Sequence, residues 1–413
     1  MSTSGHRVLV IGAGAAGTMA AIFAARAGAR VTLLERTKDG GRKILISGGG
    51  RCNVLPSRVD ENRFVTDSSP NVLRRIIRSW PLAEQIRFFE DDIGIPLEHE
   101  VESLKLFPAS HKARDVRDGL LDCATRDGVR IEFETSVSDV VPECAQWIVT
   151  ADDGRRFEAD AVIIATGGLS VPATGSDGRG LALLRRMGHT LHPTYAALTP
   201  ITVEPNDFTA LAGISLAVTV SARFGDERAQ ATGGFLFTHR GYSGPAALNV
   251  SHVAVRSRAI GSGRATLQVR WTPLGDEEWT TRLQPHGART VSGAVRDEMP
   301  ERLAAVLIAR AGVDPLRPLS ELRREERVRL VDTLVRGELP WAGDEGYKKA
   351  EVTGGGVSLA EIDHRTMESR RQPGLFLCGE VLDAFGPIGG YNFLWAWTTG
   401  RAAGIGAAAR SPR

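Results

Sequence analysis

Three glycines near the N-terminus have the spacing of a nucleotide-binding turn. They stand in the run Gly-Ala-Gly-Ala-Ala-Gly at residues 12–17, directly after the apolar residues 7–11 and at the start of an alanine-rich segment. In such a turn one glycine allows the bend, one lets the backbone approach a pyrophosphate, and one lets helix pack on strand. The N–H groups that begin the helix then face the phosphates. The residues expected at a dinucleotide pyrophosphate are Gly12, Gly14, Ala15, Ala16 and Gly17.

A carboxylate follows at the distance that a ribose contact requires. Glu35 comes directly after a second apolar stretch, residues 30–34, and lies 23 residues after Gly12. A carboxylate at this place accepts hydrogen bonds from ribose hydroxyls, and we assign its neighbour Arg36 to the same site. Strand, helix, second strand and terminal acid together predict dinucleotide binding, but they leave NAD and FAD open.

A second glycine-rich segment, residues 41–53, combines cationic, hydroxyl and glycine positions. This composition suits a turn that wraps a diphosphate and approaches a flat ring; a flexible basic loop is the simpler alternative. Cys52 has no second cysteine nearby, so we interpret it as a packing residue and not as half of a redox pair. The residues assigned to the cofactor here are Lys43, Ser47, Gly49, Gly50, Arg51, Cys52 and Asn53.

Two later turns favour FAD over NAD. The apolar residues 161–165 lead into a Thr-Gly-Gly turn, and residues 378–383 and 389–392 precede a C-terminal helix. A helix N-terminus aimed at the pyrimidine ring of a flavin stabilises the negative charge that develops there on reduction. The residues assigned to FAD in these turns are Ala165, Thr166, Gly167, Gly168, Gly379, Glu380, Asp383, Gly389, Gly390, Tyr391 and Asn392.

Few residues suggest acid–base chemistry. His239, within residues 237–245, is a candidate catalytic acid or base because imidazole titrates near neutrality, although a histidine in a turn is more often structural. Ser110 and Lys112 are candidates for substrate contact, and surface capping accounts for them equally well. The four cysteines show no CxxC pair and no ligand spacing, so we expect no metal site.

The segments that position these residues predict an α/β fold of the Rossmann type with an insertion. Continuous apolar strands alternate with helices in the first half. Residues 192–273 then alternate like antiparallel strands, residues 276–339 are helical, and the glycine-rich α/β texture returns after residue 341. We predict a discontinuous FAD-binding domain of the two-dinucleotide-binding type over 1–190 and 345–413, an inserted β-rich substrate lobe over 191–274 and a helical lobe over 275–344.

Bulk composition argues against several classes of protein. The 413 residues include 51 Lys and Arg against 49 Asp and Glu, and the arginine-rich residues 322–336 alternate with acids that can pair at i,i+4, so we expect no nucleic-acid partner. The apolar residues 8–25 resemble a signal peptide, but glycines interrupt them at a functional spacing. We expect a cytoplasmic protein with no membrane partner and a small-molecule substrate.

The chain resembles the bacterial flavoprotein family that includes the YhiN-type proteins, the aminoacetone-oxidase-like enzymes and the BaiN-type bile-acid oxidoreductases. The matching segments span nearly the whole chain: GAGAAG at 12–17, GRKILISGGGRCN at 41–53, LFPASHKA at 106–113, ATGGLSVPATGSDGRG at 165–180, LFTHRGYSGPA at 236–246 and GEVLDAFGPIGGYNFLWAWTTG at 379–400. The resemblance implies that Val137 contacts adenine and Asp383 the ribityl chain. It also implies that residues 47–53 and 389–392 surround the phosphates and the flavin.

These features predict non-covalently bound FAD and hydride transfer to or from flavin N5, since the cofactor supplies the chemistry. One hypothesis is an oxidase of an amine or alcohol. A second is a reductase of an unsaturated or carbonyl substrate, with NAD(P)H as a transient electron donor. A third is a flavin-dependent RNA-modifying protein, which the near-neutral charge balance disfavours. We expect residues 192–340 to cover the flavin and to set substrate choice.

Overall fold

The computed structural model describes residues 5–144, 146–261 and 263–410. Their strands, in chain order, are β1 (Arg7–Ile11), β2 (Arg30–Leu34), β3 (Leu55–Pro56), β4 (Leu97–Glu100), β5 (Lys105–Pro108), β6 (Arg130–Glu132), β7 (Val137–Glu143), β8 (Gln146–Ala151), β9 (Arg156–Ala159), β10 (Ala161–Ile164), β11 (Leu191–Ala197), β12 (Ile201–Thr202), β13 (Ser215–Phe224), β14 (Glu227–Thr238), β15 (Gly241–Ser243), β16 (Thr266–Arg270), β17 (Gly337–Glu338), β18 (Gly343–Asp344), β19 (Val352–Val357) and β20 (Leu375–Leu377).

The α-helices of the same residues connect and cover these strands. In chain order they are α1 (Ala15–Arg26), α2 (Arg42–Ile46), α3 (Pro70–Arg78), α4 (Leu82–Arg87), α5 (Ala113–Arg126), α6 (Arg179–Arg186), α7 (Pro245–Ile260), α8 (Asp276–Arg282), α9 (Val291–Arg296), α10 (Glu301–Arg310), α11 (Arg324–Arg336) and α12 (Tyr391–Ala408). A single π-helical turn, Phe88–Asp92, continues α4. Short 3-10 turns, among them Ser47–Gly50 and Gly379–Val381, occupy several loops.

The chain divides into two compact units. The first contains the described residues up to Thr194 and from Val352 onward, and the second is Tyr195–Glu351. The sequence predicted an insertion over residues 191–344, divided between residues 274 and 275. The structure instead groups the β-rich and helical parts in one unit, because their apolar side chains share one buried cluster.

A five-stranded parallel sheet forms the centre of the first unit. Its strand order is β20-β10-β1-β2-β6. The register places Val10 beside Ile163 and Ile163 beside Phe376, and all three side chains are fully buried. Continuous apolar strands are expected where helices cover both faces of a parallel sheet. The predicted α/β fold of the Rossmann type is confirmed.

Helices α1 and α12 pack closely and run in the same direction. A Cβ on Gly400 would overlap the carbonyl oxygen of Ala16, and one on Gly404 would overlap that of Ala20. Small residues therefore allow the two backbones to touch. Because Gly400 lies level with the start of α1, residues 391–399 extend past that start by about 14 Å at 1.5 Å per residue.

Two three-stranded antiparallel sheets also belong to the first unit, with strand orders β3-β5-β4 and β7-β8-β9. In the first of them Leu55 pairs with Leu106. Gly390, directly before α12, has no room for a side chain because a Cβ there would overlap the backbone of Leu55. The β3-β5-β4 sheet therefore lies against the N-terminal end of α12.

The second unit is built on a seven-stranded antiparallel sheet of order β17-β16-β13-β14-β15-β12-β18. Helix α7 packs on β13 and β14, inside the region that the sequence predicted to be β-rich. It starts after Gly244 with Pro245 in its first turn, which is a helix-start signal. Its β-branched and serine content masked that signal. No helix in the described part of the chain combines the length and apolar character that a membrane span needs.

Candidate functional site

The glycines of the turn after β1 have different surroundings. Gly12 has a φ of +104°, and a Cβ there would stand 2.6 Å from the carbonyl oxygen of Ala165. A Cβ on Gly17 would overlap the carbonyl oxygen of Gly12. The Cβ position of Gly14, by contrast, meets no described atom beyond its chain neighbours within 4 Å. Open space thus lies at the start of α1, where the first N–H groups, those of Ala15 and Ala16 included, have no intrahelical acceptor.

Glu35 is nearly buried, with 8% of its surface exposed. Its Oε2 accepts a hydrogen bond from the N–H of Ala13 at 2.8 Å. Its Oε1 accepts from the N–H of Thr37 at 2.8 Å and from the hydroxyl of Thr37 at 2.7 Å. A carboxylate has about four acceptor positions. Glu35 therefore holds the glycine turn in place and retains capacity for a ribose hydroxyl.

The two residues predicted beside Glu35 have different contacts. The guanidinium of Arg36 pairs with the carboxylate of Asp177 on a partly exposed surface. The N–H of Thr135 donates to the carbonyl oxygen of Glu35 at 2.8 Å, and Val137 lies two residues further, at the start of β7. Val137 is thereby held near Glu35, which is assigned to ribose. The charge of Arg36, by contrast, is already neutralised by Asp177.

The second glycine-rich segment forms a tight loop after α2. Gly48 and Gly49 have φ values of +56° and +67°, a conformation that glycine adopts without steric cost. The Cβ positions of Gly49 and Gly50 meet no described atom within 4 Å. The hydroxyl of Ser47 donates to the carbonyl oxygen of Ile44 at 2.7 Å. The loop therefore presents its backbone, and not the Ser47 hydroxyl, to open space.

The last residues of this loop separate into structural and available groups. Arg51 pairs with Glu100 at 2.9 Å and stacks over Phe107, so its charge is compensated within the chain. Cys52 is fully buried, and burial raises the pKa of its thiol to about 12, which keeps it protonated. The Oδ1 atom of Asn53 is buried and has no hydrogen-bond partner among the described residues. Asn53 is therefore the side chain here that needs a ligand.

The turn after β10 is closely packed. A Cβ on Gly167 would stand 2.6 Å from the hydroxyl oxygen of Ser176. A Cβ on Gly168 would overlap the hydroxyl of Thr353. The Oγ1 atom of Thr166, like Asn53 Oδ1, is buried with no partner in the described chain. The predicted Ala165–Gly168 turn thus supplies close backbone approach and one unsatisfied hydroxyl.

Lys43 and Glu380 form an ion pair next to the turn after β10. The Lys43 ammonium donates to Glu380 Oε2 at 2.7 Å and to the hydroxyl of Ser170 at 2.8 Å. Glu380 Oε1 accepts from the Ser170 hydroxyl at 2.6 Å and from the N–H of Thr353 at 2.9 Å. Burial alone would raise the pKa of Glu380, but Lys43 and these hydrogen bonds outweigh it and lower the pKa. The sequence predicted that Lys43 contacts a diphosphate, whereas the structure pairs it with Glu380.

Asp383, predicted at the ribityl chain, is 1% exposed. Its Oδ2 accepts from the hydroxyl of Thr66 at 2.9 Å, the N–H of Asp67 at 3.0 Å and the hydroxyl of Ser68 at 2.7 Å. The Nε2 atom of His192 lies 3.6 Å from the same oxygen. The second oxygen, Oδ1, is the one with capacity for a ligand hydroxyl.

The residues predicted around the start of α12 shape its loop. The hydroxyl of Tyr391 donates to the carbonyl oxygen of Arg58 at 3.1 Å. The Asn392 side chain accepts from the N–H of Gly386 at 2.8 Å and donates to the carbonyl oxygen of Gly386 at 2.9 Å. The side chains of Tyr391 and Asn392 thus fix the loop before α12. Gly379 packs against Ala16, so the 3-10 turn Gly379–Val381 lies next to the glycine turn after β1.

His239 lies in the second unit, in the turn between β14 and β15, and is exposed. The aromatic residues of the same segment, Phe237 and Tyr242, are 1% exposed and belong to the core of that unit. In that core, Phe237 packs against Trp271 and Tyr242 against Phe208.

Three residues of the site were not predicted: Ser170, Thr353 and His192. Ser170 lies inside a segment that carried the family resemblance, and Thr353 directly precedes three consecutive glycines at residues 354–356, so both had a signal. His192 had none, since its contact with Asp383 joins residues far apart in the sequence.

The described residues fit FAD. The open space over Gly14 and Gly49 suits phosphates next to backbone N–H groups. Buried polar atoms normally have partners, and Asn53 Oδ1 and Thr166 Oγ1 lack them within the described chain. The N-terminal end of α12 lies about 14 Å beyond that of α1, which suits a cofactor that carries a ring beyond its pyrophosphate. No cluster of three or more metal-ligating side chains occurs in the described ranges.

Known proteins resemble this chain over nearly its whole length. A 3-dehydro-bile acid delta(4,6)-reductase of Clostridium scindens is 33% identical over 416 residues, covering 98% of this chain and 100% of that protein. Ribosomal RNA dihydrouridine synthases of Escherichia coli and Haemophilus influenzae are 32% and 31% identical; they cover 95% and 96% of this chain, and 95% and 97% of their own lengths.

Solved structures share the fold. A 3-ketosteroid delta1-dehydrogenase from Sterolibacterium denitrificans matches with a TM-score of 0.53 at 12% identity, covering 97% of this chain and 99% of that one. The Sdh1 complex of Mycobacterium smegmatis matches with a TM-score of 0.51 at 17% identity, covering 98% of this chain and 68% of that one. The model of the HI0933-like protein Rossmann domain matches residues 6–406. The resemblance predicted from the sequence is confirmed, and the chain belongs to the HI0933-like family of FAD-dependent oxidoreductases.

Proposed function

We propose that the chain uses FAD to reduce a carbon–carbon double bond conjugated to a carbonyl group in a small organic molecule. The observation that carries this proposal is the reaction type shared by the relatives. A 3-dehydro compound with delta-4,6 double bonds is an unsaturated ketone, and dihydrouridine is uridine saturated at the double bond conjugated to its carbonyl. Both names describe addition of two hydrogens to such a bond.

The chain's own residues account for binding and positioning in this proposal. The backbone at Gly14, Gly49 and Gly50 would receive the pyrophosphate, Glu35 the ribose, and Asp383 Oδ1 the ribityl hydroxyls. When bound and reduced, FAD supplies a hydride to the β carbon of the unsaturated carbonyl compound. A proton then adds to the α carbon, and the two electrons come from NADH or NADPH, which is oxidised.

We expect NADH or NADPH to bind only transiently. In the described part of the chain, one glycine turn between strand and helix has the open space that a pyrophosphate needs, and we assign it to FAD. The nicotinamide dinucleotide therefore has no comparable turn of its own, which favours a transient donor.

Anaerobic stopped-flow measurements test the proposal. The protein is reduced with NADPH or NADH and mixed with a 3-oxo-delta4 steroid, with the saturated ketone as matched control. We expect the absorbance of oxidised flavin to return with the unsaturated ketone only, and the product to gain two hydrogens by mass spectrometry. Bleaching of the oxidised flavin by an amine or alcohol, with no response to unsaturated ketones, would show that the chain is an oxidase instead.

A uridine within RNA is the second candidate substrate. Two relatives are named for it, and a cleft of about 450 Å³ in the first unit is strongly cationic. Arg78 in this cleft pairs with Glu61, whereas the side chains of Arg75 and Arg365 have no ion-pair partner among the described residues. Such arginines suit phosphodiester groups, which position RNA without reading its sequence. The residues that line the cleft are Arg75, Arg78, Ser79, His364, Arg365, Arg401, Ala402 and Ile405.

The same reduced protein distinguishes the two candidates. It is incubated with ribosomal RNA, and the digested nucleosides are analysed by mass spectrometry. Dihydrouridine that forms with the parent protein, but is reduced severalfold in an Arg75→Gln, Arg365→Gln variant that still oxidises NADPH, would favour RNA. Turnover of the unsaturated ketone without dihydrouridine would favour the small molecule.

A further inference from the structure

Lys105 lies where the β3-β5-β4 sheet meets the loop before α12. It is the first residue of β5 and pairs with Pro56 of β3 and Glu100 of β4. The Cε atom of Lys105 lies 3.5 Å from the position that a Cβ on Gly389 would occupy, and its Cγ lies 3.6 Å away. The aliphatic stem of Lys105 thus lies along Gly389, directly before the start of α12.

The ammonium of Lys105 is not compensated within the described chain. The side chain is half-buried, and no described residue lies within hydrogen-bond or ion-pair distance of its Nζ atom. The nearby Glu100 is already engaged, because its carboxylate pairs with Arg51 at 2.9 Å and accepts from the hydroxyl of Ser103. Burial lowers the pKa of Lys105, in keeping with a cation that lacks a close anion. A half-buried charge without a partner is costly, so this position is suited to an anionic ligand group.

The negative charge of the ligand is expected at the same end of α12. Residues 391–399 extend about 14 Å past the start of α1, away from the turn that we assign to the pyrophosphate. The flavin ring therefore reaches toward the N-terminus of α12, whose N–H groups and dipole favour negative charge. The side chain of Lys105 lies along Gly389, and its ammonium adds a full positive charge to the partial positive charge of the helix N-terminus.

We propose that Lys105 is the cation that, together with the N-terminus of α12, stabilises the negative charge on the pyrimidine ring of bound FAD when the flavin is reduced. This inference rests on the proposed binding of FAD, but not on the identity of the substrate. It makes Lys105 a cofactor-contacting residue that sets the reduction potential.

The two-electron midpoint potential and the sulfite affinity of the flavin test this role without any substrate. Lys105→Met should shift the reduction equilibrium about tenfold toward the oxidised flavin, which is about 30 mV lower for a two-electron couple. Because sulfite addition also places negative charge on the flavin, its dissociation constant should rise about tenfold. Lys105→Arg should stay close to the parent in both measurements. Lys349→Met removes the same charge from an exposed position of the second unit and is the matched control.

Unchanged potential and sulfite affinity in Lys105→Met would overturn the proposal, as would an equal shift in Lys349→Met. If Lys105→Met purifies without FAD, the neutral polar variant Lys105→Gln replaces it, with the same expected shifts. Loss of FAD from both neutral variants would show that Lys105 serves cofactor binding, which also overturns the proposal. A parent protein that holds no FAD would instead contradict the proposed function, and the two failures are therefore distinguishable.

Discussion

At the scale of single residues, the same residue type serves opposite purposes within one turn. Gly12 and Gly17 are required by the packing of α1 on β1 and β10, whereas Gly14 faces open space. The sequence predicted all three from their spacing. It predicted the ribose role of Glu35 but not its bonds to Ala13 and Thr37, because those depend on how closely the ends of β1 and β2 approach.

The difference between these glycines predicts different outcomes for one substitution. Gly14→Val should fold, since its φ of −80° and ψ of −173° are allowed for valine, but should weaken FAD at least tenfold, about 1.4 kcal/mol, by filling the phosphate space. Gly17→Val should destabilise the apoprotein by about 3 kcal/mol or more, since its side chain overlaps the carbonyl oxygen of Gly12. Thermal unfolding of the apoproteins and FAD titration separate the effects. A Gly14→Val protein that binds FAD like the parent would remove the pyrophosphate from this turn.

At the scale of elements, the Lys43–Glu380 pair joins α2, the loop after β10, β19 and the 3-10 turn Gly379–Val381. All of these segments except β19 were predicted to contact FAD from their glycines and polar residues. Their mutual contact was not predicted, because Lys43 and Glu380 are 337 residues apart and neither has a local pattern that identifies its partner. The network explains how distant motifs are held at one place.

This pair predicts a pH dependence. In the parent, the pKa of Glu380 is lowered on folding, so the stabilisation is present above the usual glutamate range and is lost as pH falls through the lowered value. Lys43→Met should destabilise the apoprotein by about 2 kcal/mol near pH 7, because a largely buried carboxylate loses its partner. That deficit should shrink on acidification, since Glu380 then takes up a proton. Thermal unfolding between pH 4 and 8 measures it.

The control for this prediction is Lys38→Met, which removes an exposed charge five residues upstream and should leave the unfolding temperature nearly unchanged at every pH. Lys43→Arg should restore most of the stability at neutral pH. A deficit in Lys43→Met that is independent of pH would mean that Glu380 does not carry the charge that Lys43 compensates.

At the scale of the whole molecule, the sequence was most informative where apolar strands are continuous. The runs at Val8–Ile11 and Ala161–Ile164 can be buried on both faces only in a parallel sheet between helices, and that sheet is present. The second unit was less predictable. Helix α7 is rich in β-branched residues and lies in a region whose sequence alternates like strands. Trp271 and Leu334 share one core, although the sequence analysis assigned them to separate lobes. Substrate selection by this unit, with His239 as an acid or base, stays a prediction.

The identity and attachment of the cofactor decide whether the site is assigned correctly. The direct measurement is chromatography of the nucleotide that the purified protein releases on heating or acidification. Because the contacts assigned to the cofactor are backbone approaches and hydrogen bonds, we expect a yellow protein that releases intact FAD, close to equimolar with the chain. Release of FMN, absence of flavin, or flavin that stays attached to the denatured protein would contradict the assignment of non-covalent FAD to this chain.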